Sequence, residues 1–134
     1  MEEEAAVGRR YKDSASLEAE IRRLQEVFVF RDARKVTSFI RKHVILAGIL
    51  EESHLEIQRY FGPNPGVSLQ VNSDPELQGA VEMFGYIATA LTPEEAGHRL
   101  EQFDRNWFLQ QVPRIKGLLN FDLEFVCLSP GRST

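Results

Sequence analysis

Apolar and polar positions alternate along this chain with two different periods. Leu17, Ile21 and Leu24 recur at spacings of four and three, the stripe of an amphipathic helix over 14–25 that Ser14 or Ser16 can cap. Val27-Phe28-Val29-Phe30 then reads as a strand over 26–31, with aromatics on one face and valines on the other. Asp32 is placed to N-cap a helical pattern that starts at Ala33 and runs to Phe61, where Gly62-Pro63-Asn64-Pro65-Gly66 stops it. Unbroken, that helix would be ~43 Å long at 1.5 Å per residue, too long for so small a domain, so a break near His43 or Gly48 is expected.

Val67, Leu69 and Val71 alternate with Ser68, Gln70 and Asn72 as a half-buried strand. Asp74-Pro75 and Gly79 mark the loop to a third strand over 82–90, which contains Phe84-Gly85-Tyr86-Ile87. Thr92-Pro93-Glu94-Glu95 opens a second long helix as a capping box with proline at its first position. Ala96, Leu100, Phe103 and Trp107 form its stripe, Pro113 and Gly117 end it, and Phe108 falls off the stripe. A last strand alternates Leu119, Phe121, Leu123 and Phe125 with Asn120, Asp122 and Glu124.

The order is a helix followed by β-α-β-β-α-β. Right-handed crossovers would fold it into an α+β, ferredoxin-like sandwich: an antiparallel sheet ordered 4-1-3-2 with helices on one face. Residues 1–13 and 129–134 are expected to be disordered tails around the N-terminal helix and one domain over 26–128. Were 26–30 instead the end of the first helix, a three-stranded layer would remain.

In the four-strand reading, Phe28, Phe30, Phe84 and Tyr86 share the open sheet face. RNA-recognition domains have the same element order and stack bases on aromatics of strands one and three. Phe84-Gly85-Tyr86-Ile87 copies the core of their strand-three motif, and Val27-Phe28-Val29 resembles the strand-one motif. Glu82, however, stands where a basic residue belongs, Met83 replaces a glycine and Thr89 replaces the last aromatic. Asp122 and Glu124 add carboxylates on the neighbouring strand, which repel phosphate. The net charge of −4 also disfavours nucleic acid as a partner. A covered aromatic patch is the plainer expectation, with the N-terminal helix, a second copy of the chain or another protein as the cover.

Arg31, Arg34, Lys35, Arg41 and Lys42 form a basic run, and Arg31, Arg34 and Lys35 could make an anion site at a helix start. A small-ligand or anion-binding regulatory domain is therefore the alternative function. Glu51…His54 and Glu95…His98 have metal-ligand spacing, but a di-metal bundle needs two further glutamates on facing helices, so no metal and no cofactor is expected. His54, beside the Leu50 and Ile57 stripe, reads as a half-buried structural histidine. The one cysteine, Cys127, excludes an internal disulfide and has no evident partner to lower its pKa. No Ser-His-Asp set, phosphate loop or dinucleotide glycine pattern is present, so a non-enzymatic module is expected. The longest apolar run, 44–50, is too short for a membrane span, and the N-terminus lacks the pattern of a secretory signal, so a cytoplasmic location is expected.

Tyr60-Phe61-Gly62-Pro63, Phe103-Asp104 with Trp107-Phe108-Leu109, and Gly117-Leu118-Leu119-Asn120-Phe121-Asp122-Leu123-Glu124-Phe125 resemble a small, uncharacterised bacterial protein family. The resemblance spans 26–127 and rests on packing and turn residues. It implies a bacterial origin and carries over no catalytic residue.

Overall fold

The computed structural model of the chain describes residues 14–74 and 80–126. Helix α1 (Ser14–Val27) leads into a two-residue strand β1 (Val29–Phe30), then α2 (Ala33–Lys42) and α3 (Ile45–Phe61). Strands β2 (Gly66–Asp74) and β3 (Ala80–Thr89) follow, then α4 (Pro93–Phe103), a π-helical turn (Asp104–Phe108), α5 (Leu109–Ile115) and β4 (Leu119–Phe125). Among the described residues no helix is long and apolar enough to cross a membrane. Cys127 and both expected tails lie outside the described residues.

The architecture is α+β with four strands, but the sheet is not the expected antiparallel 4-1-3-2. Its order is β1-β2-β3-β4. The outer pairs β1–β2 and β3–β4 are parallel, and the central pair β2–β3 is antiparallel. The buried residues of β2, β3 and β4 (Val67, Leu69, Met83, Gly85, Ile87, Thr89 and Leu119) share one face, and the helices pack there in one core. With both helical connections on that face, this strand order makes the two crossovers opposite in hand. Only one of them can follow the right-handed preference that produces 4-1-3-2 when both obey it.

The first strand is the other correction. α1 continues through Val27, and Phe28 N–H still donates to Leu24 O at 2.8 Å. The expected strand over 26–31 therefore shrinks to Val29–Phe30, which pairs with Ser68 and Leu69. Leu17, Ile21 and Leu24 are buried, so α1 belongs to the helical layer and packs on α3. The long helical pattern breaks at His43–Val44, while Gly48 lies within α3. Gly62, at φ 102, takes the C-terminal position of α3 that a side chain would strain.

Asp32 precedes α2 as expected but does not cap it through its side chain. It is left-handed, at φ 58 and ψ 74, and only its carbonyl serves the first turn, accepting from Lys35 and Val36. The capping box at α4 is half formed. Thr92 Oγ1 accepts from Glu95 N–H at 3.1 Å, but the Glu95 carboxylate turns to Arg99 at 2.7 Å. The π turn explains Phe108. Its i→i+5 bonding widens the helix, so Phe103, Trp107 and Phe108 are all buried, which one α-helical stripe would not allow. Pro113 stands inside α5, and the helix ends two residues later at Ile115.

Candidate interaction face

The sheet face away from the helices has no buried residue among those described. Register aligns Gln70, Phe84 and Asn120 in one row across β2, β3 and β4, and Ser68, Tyr86 and Asp122 in the next. Phe84 and Tyr86 are half-buried and stack on each other, with centroids 5.7 Å apart and planes 14° apart. These two residues therefore stand where the sequence placed them.

Phe28 and Phe30 do not join them. Phe28 is only 3% exposed and sits in the helical core with its ring edge-on to His54 at 5.8 Å. Phe30 is partly buried against the same core. The cause is the register of β1: Val29 pairs with Ser68 and takes the open face, whereas Phe30 pairs with Leu69 and turns towards the helices. Val29 is 60% exposed and is the apolar residue that β1 gives to this face.

Arg31 is the residue that organises the face. Its backbone follows β1, and its N–H donates to Leu69 O at 2.9 Å. Its guanidinium carbon lies 5.3 Å from the Tyr86 ring centre. Nη2 donates to Glu124 Oε1 at 2.6 Å, and Nη1 donates to Gln70 Oε1 at 3.2 Å. One side chain thus links residues of β2, β3 and β4 from a position just beyond β1. Cation–π and charge-assisted contacts of this kind favour arginine over lysine.

The three cations expected to form an anion site are not assembled as one. Arg31 is committed to Glu124. Arg31 and Lys35 line a shallow depression of about 400 Å³ with Gln70 and Asn72, whereas exposed Arg34 does not line it. On the opposite side of the face, Glu82 accepts from Asn120, and the exposed Asp122 accepts the N–H of its neighbour Leu123 at 2.8 Å. The face therefore has Lys35 at its β1 edge, two stacked aromatics in the middle, the Arg31–Glu124 pair spanning from β1 to β4, and the carboxylates of Glu82 and Asp122 at the β3–β4 side.

Gly85 supports this face from behind. A Cβ there would lie 2.7 Å from two carbons of the Phe121 ring, and that ring is edge-on to Phe103 and Phe108. The glycine of Phe84-Gly85-Tyr86-Ile87 thus makes room for a core aromatic on the helix side. Packing accounts for the likeness to the RNA-recognition motif at this position.

Sequence reading also missed a second cluster. Glu20 lies three residues after Leu17 and four before Leu24, on the buried stripe of α1, and it is 3% exposed. That helical spacing was the available signal. The Glu20 carboxyl is pushed above its ordinary value near 4.5, chiefly by burial and then by the Glu51 carboxyl of α3, against a smaller opposing effect from Arg23. A raised folded-state value means that the folded chain holds this proton more tightly than the unfolded chain. The stability it contributes is full at and below the ordinary glutamate range and is lost as pH rises through the folded value. Denaturant midpoints should therefore fall over that rise in the native chain, and Glu20→Gln should flatten this part of the profile. An unchanged profile in the variant would contradict the assignment.

The two Glu-x-x-His pairs remain separate from one another in their bonding. Glu95 is held by Arg99, Glu51 faces Glu20, and His54 is half-buried beside Phe28. Comparison with family models, with curated proteins and with solved structures gave no match.

Proposed function

We propose that this chain is a non-enzymatic interaction module that pairs with a second copy of itself through the open sheet face. The observation that carries the reading is the Phe84–Tyr86 stack, set between Lys35 at the β1 edge and the carboxylates Glu82 and Asp122 at the β3–β4 side, with Arg31 and Glu124 already paired within the chain. A twofold axis near the stack would lay the Lys35 edge of each copy over the carboxylate side of the other. Such self-complementarity is what an isologous dimer needs. The aromatics would supply the desolvated centre and the charges the rim. The same carboxylates weigh against a nucleic-acid backbone on this face.

Lys35 and Asp122 give the cleanest test, because no ion pair within the described chain holds either side chain. Lys35→Glu and Asp122→Lys should each weaken self-association measured by sedimentation equilibrium. The double variant should recover most of the loss. Equal association in all four chains would sink the proposed orientation. Tyr86→Asp, at the centre, should weaken pairing about 30-fold or more, as expected for a hot spot of at least ~2 kcal/mol.

A further inference from the structure

On the helical side of the molecule, away from the sheet face, the Glu20 carboxylate has one oxygen served and one not. Oε1 accepts from Arg23. Oε2 is buried and has no hydrogen-bond partner. The Glu51 carboxyl of α3 lines the same cleft as Glu20 and helps to raise the Glu20 pKa. Two carboxylates that face each other are acceptors without a donor, and a buried acceptor left in that state is unfavourable. Either a proton or the N–H of a ligand can complete the pair.

The surroundings favour a ligand of one kind. A cleft of about 260 Å³ between α1 and α3 opens at this pair. Glu20, Glu26 and Glu51 contribute acid to its lining, and Leu24, Val27 and Leu55 contribute apolar surface. Arg23 is the cation in the lining, and its guanidinium is already engaged with Glu20. Burial lowers the pKa of His54, which also lines the cleft, so its ring is neutral near pH 7 and adds no charge. Three carboxylates against one guanidinium leave a cation-attracting site. Among the described residues no group of three metal-ligating side chains is placed to hold a metal ion. The apolar wall would also give a bare ion nothing to contact.

We infer that this cleft binds a small aliphatic amine in its ammonium form. The three N–H groups of an ammonium supply donors to Glu20 and Glu51, and the alkyl chain lies along Leu24, Val27 and Leu55. Glu26 offers a second carboxylate for the far end, so a diamine is the preferred ligand. Binding closes the orphan acceptor and fastens α1 to α3 through the ligand.

Isothermal titration of the full chain with butane-1,4-diamine near neutral pH tests this, with butan-1-ol and magnesium chloride as controls. The expected result is saturable binding of the diamine and of neither control. Glu51→Gln should weaken binding about tenfold, the loss expected for one charge-assisted hydrogen bond. Leu55→Arg changes a side chain that is 61% exposed, so the fold is kept while a competing guanidinium stands at the mouth. It should weaken binding at least as much. Absence of saturable diamine binding by the native chain would overturn the inference, as would undiminished binding by both variants. A pH dependence of stability that saturating diamine leaves unchanged would mean that the pair holds a shared proton only, which also overturns it.

Discussion

Replacing Phe103 with alanine is expected to destabilise the fold by about 3–5 kcal/mol, the usual range for truncating a fully buried phenylalanine. Phe103 has no exposed surface, and its ring meets Trp107, Phe108 and Phe121 at centroid distances of 5.6, 6.2 and 5.2 Å. Those contacts join the end of α4, the π turn and β4 at one point. Alanine would leave a cavity bordered by three rigid rings, which cannot collapse into it without moving the π turn or the strand. Against a typical total of ~5–15 kcal/mol for a domain, this is enough to leave a large unfolded fraction. Urea unfolding followed by Trp107 fluorescence measures it directly. A midpoint within the scatter of the native chain would show that the ring cluster is not the point that holds α4 to the sheet. Phe103→Leu should lose much less, because most of the volume stays.

The second large effect is expected at Gly85. Gly85→Ala puts a methyl group 2.7 Å from the Phe121 ring, well inside contact distance. The ring cannot simply swing away, since Phe103 and Phe108 stand edge-on to it at 5.2 and 5.3 Å. The strand cannot give easily either, because β3 is paired with both β2 and β4 at this residue. Overpacking of this kind costs about 1–3 kcal/mol. Phe121→Leu also loses stability alone, but the double variant should lose less than the two singles combined, by roughly 0.5–3 kcal/mol of coupling. Simple additivity in a thermodynamic cycle would contradict the packing account of the glycine. Phe84 and Tyr86 point to the other face, so self-association should respond only through overall stability.

These two sites show which parts of the fold were legible in the sequence. Period-two alternation located β2 and β4, and the Phe84-Gly85-Tyr86-Ile87 run after a loop signal located β3, because each has one face in the core and one outside. The helix starting at Thr92-Pro93 was legible from chemistry that a helix start requires. Strand order was not legible. It depends on the hand of each crossover, and here two connections on one face have opposite hands, which no local pattern encodes. Val27-Phe28-Val29-Phe30 misled for a related reason. Four residues that alternate like a strand can equally finish a helix, and the apolar stripe of α1 carries on through Leu24 to Phe28. The π turn was hidden as well, leaving only Phe108 off its stripe as a sign.

The candidate face was half legible. Phe84 and Tyr86 were visible from alternation alone. The role of Arg31 was not, because its partners Gln70, Tyr86 and Glu124 lie far away in sequence and meet it only through the strand order. The same residue had suggested an anion site when read with Arg34 and Lys35. Its guanidinium instead serves Glu124 and Tyr86 within the chain, so the face is not a basic patch. Glu20 was legible in principle, as a carboxylate on a buried stripe, and its partner Glu51 was not.

Self-association through the sheet face is the central claim, and the solution mass of the full chain tests it most directly. Light scattering during size exclusion should give twice the chain mass for the native protein. The Phe84→Asp, Tyr86→Asp double variant should give the mass of a single chain while still unfolding in one cooperative transition. A single-chain mass for the native protein at every accessible concentration would contradict the account, and so would a dimer that survives both substitutions.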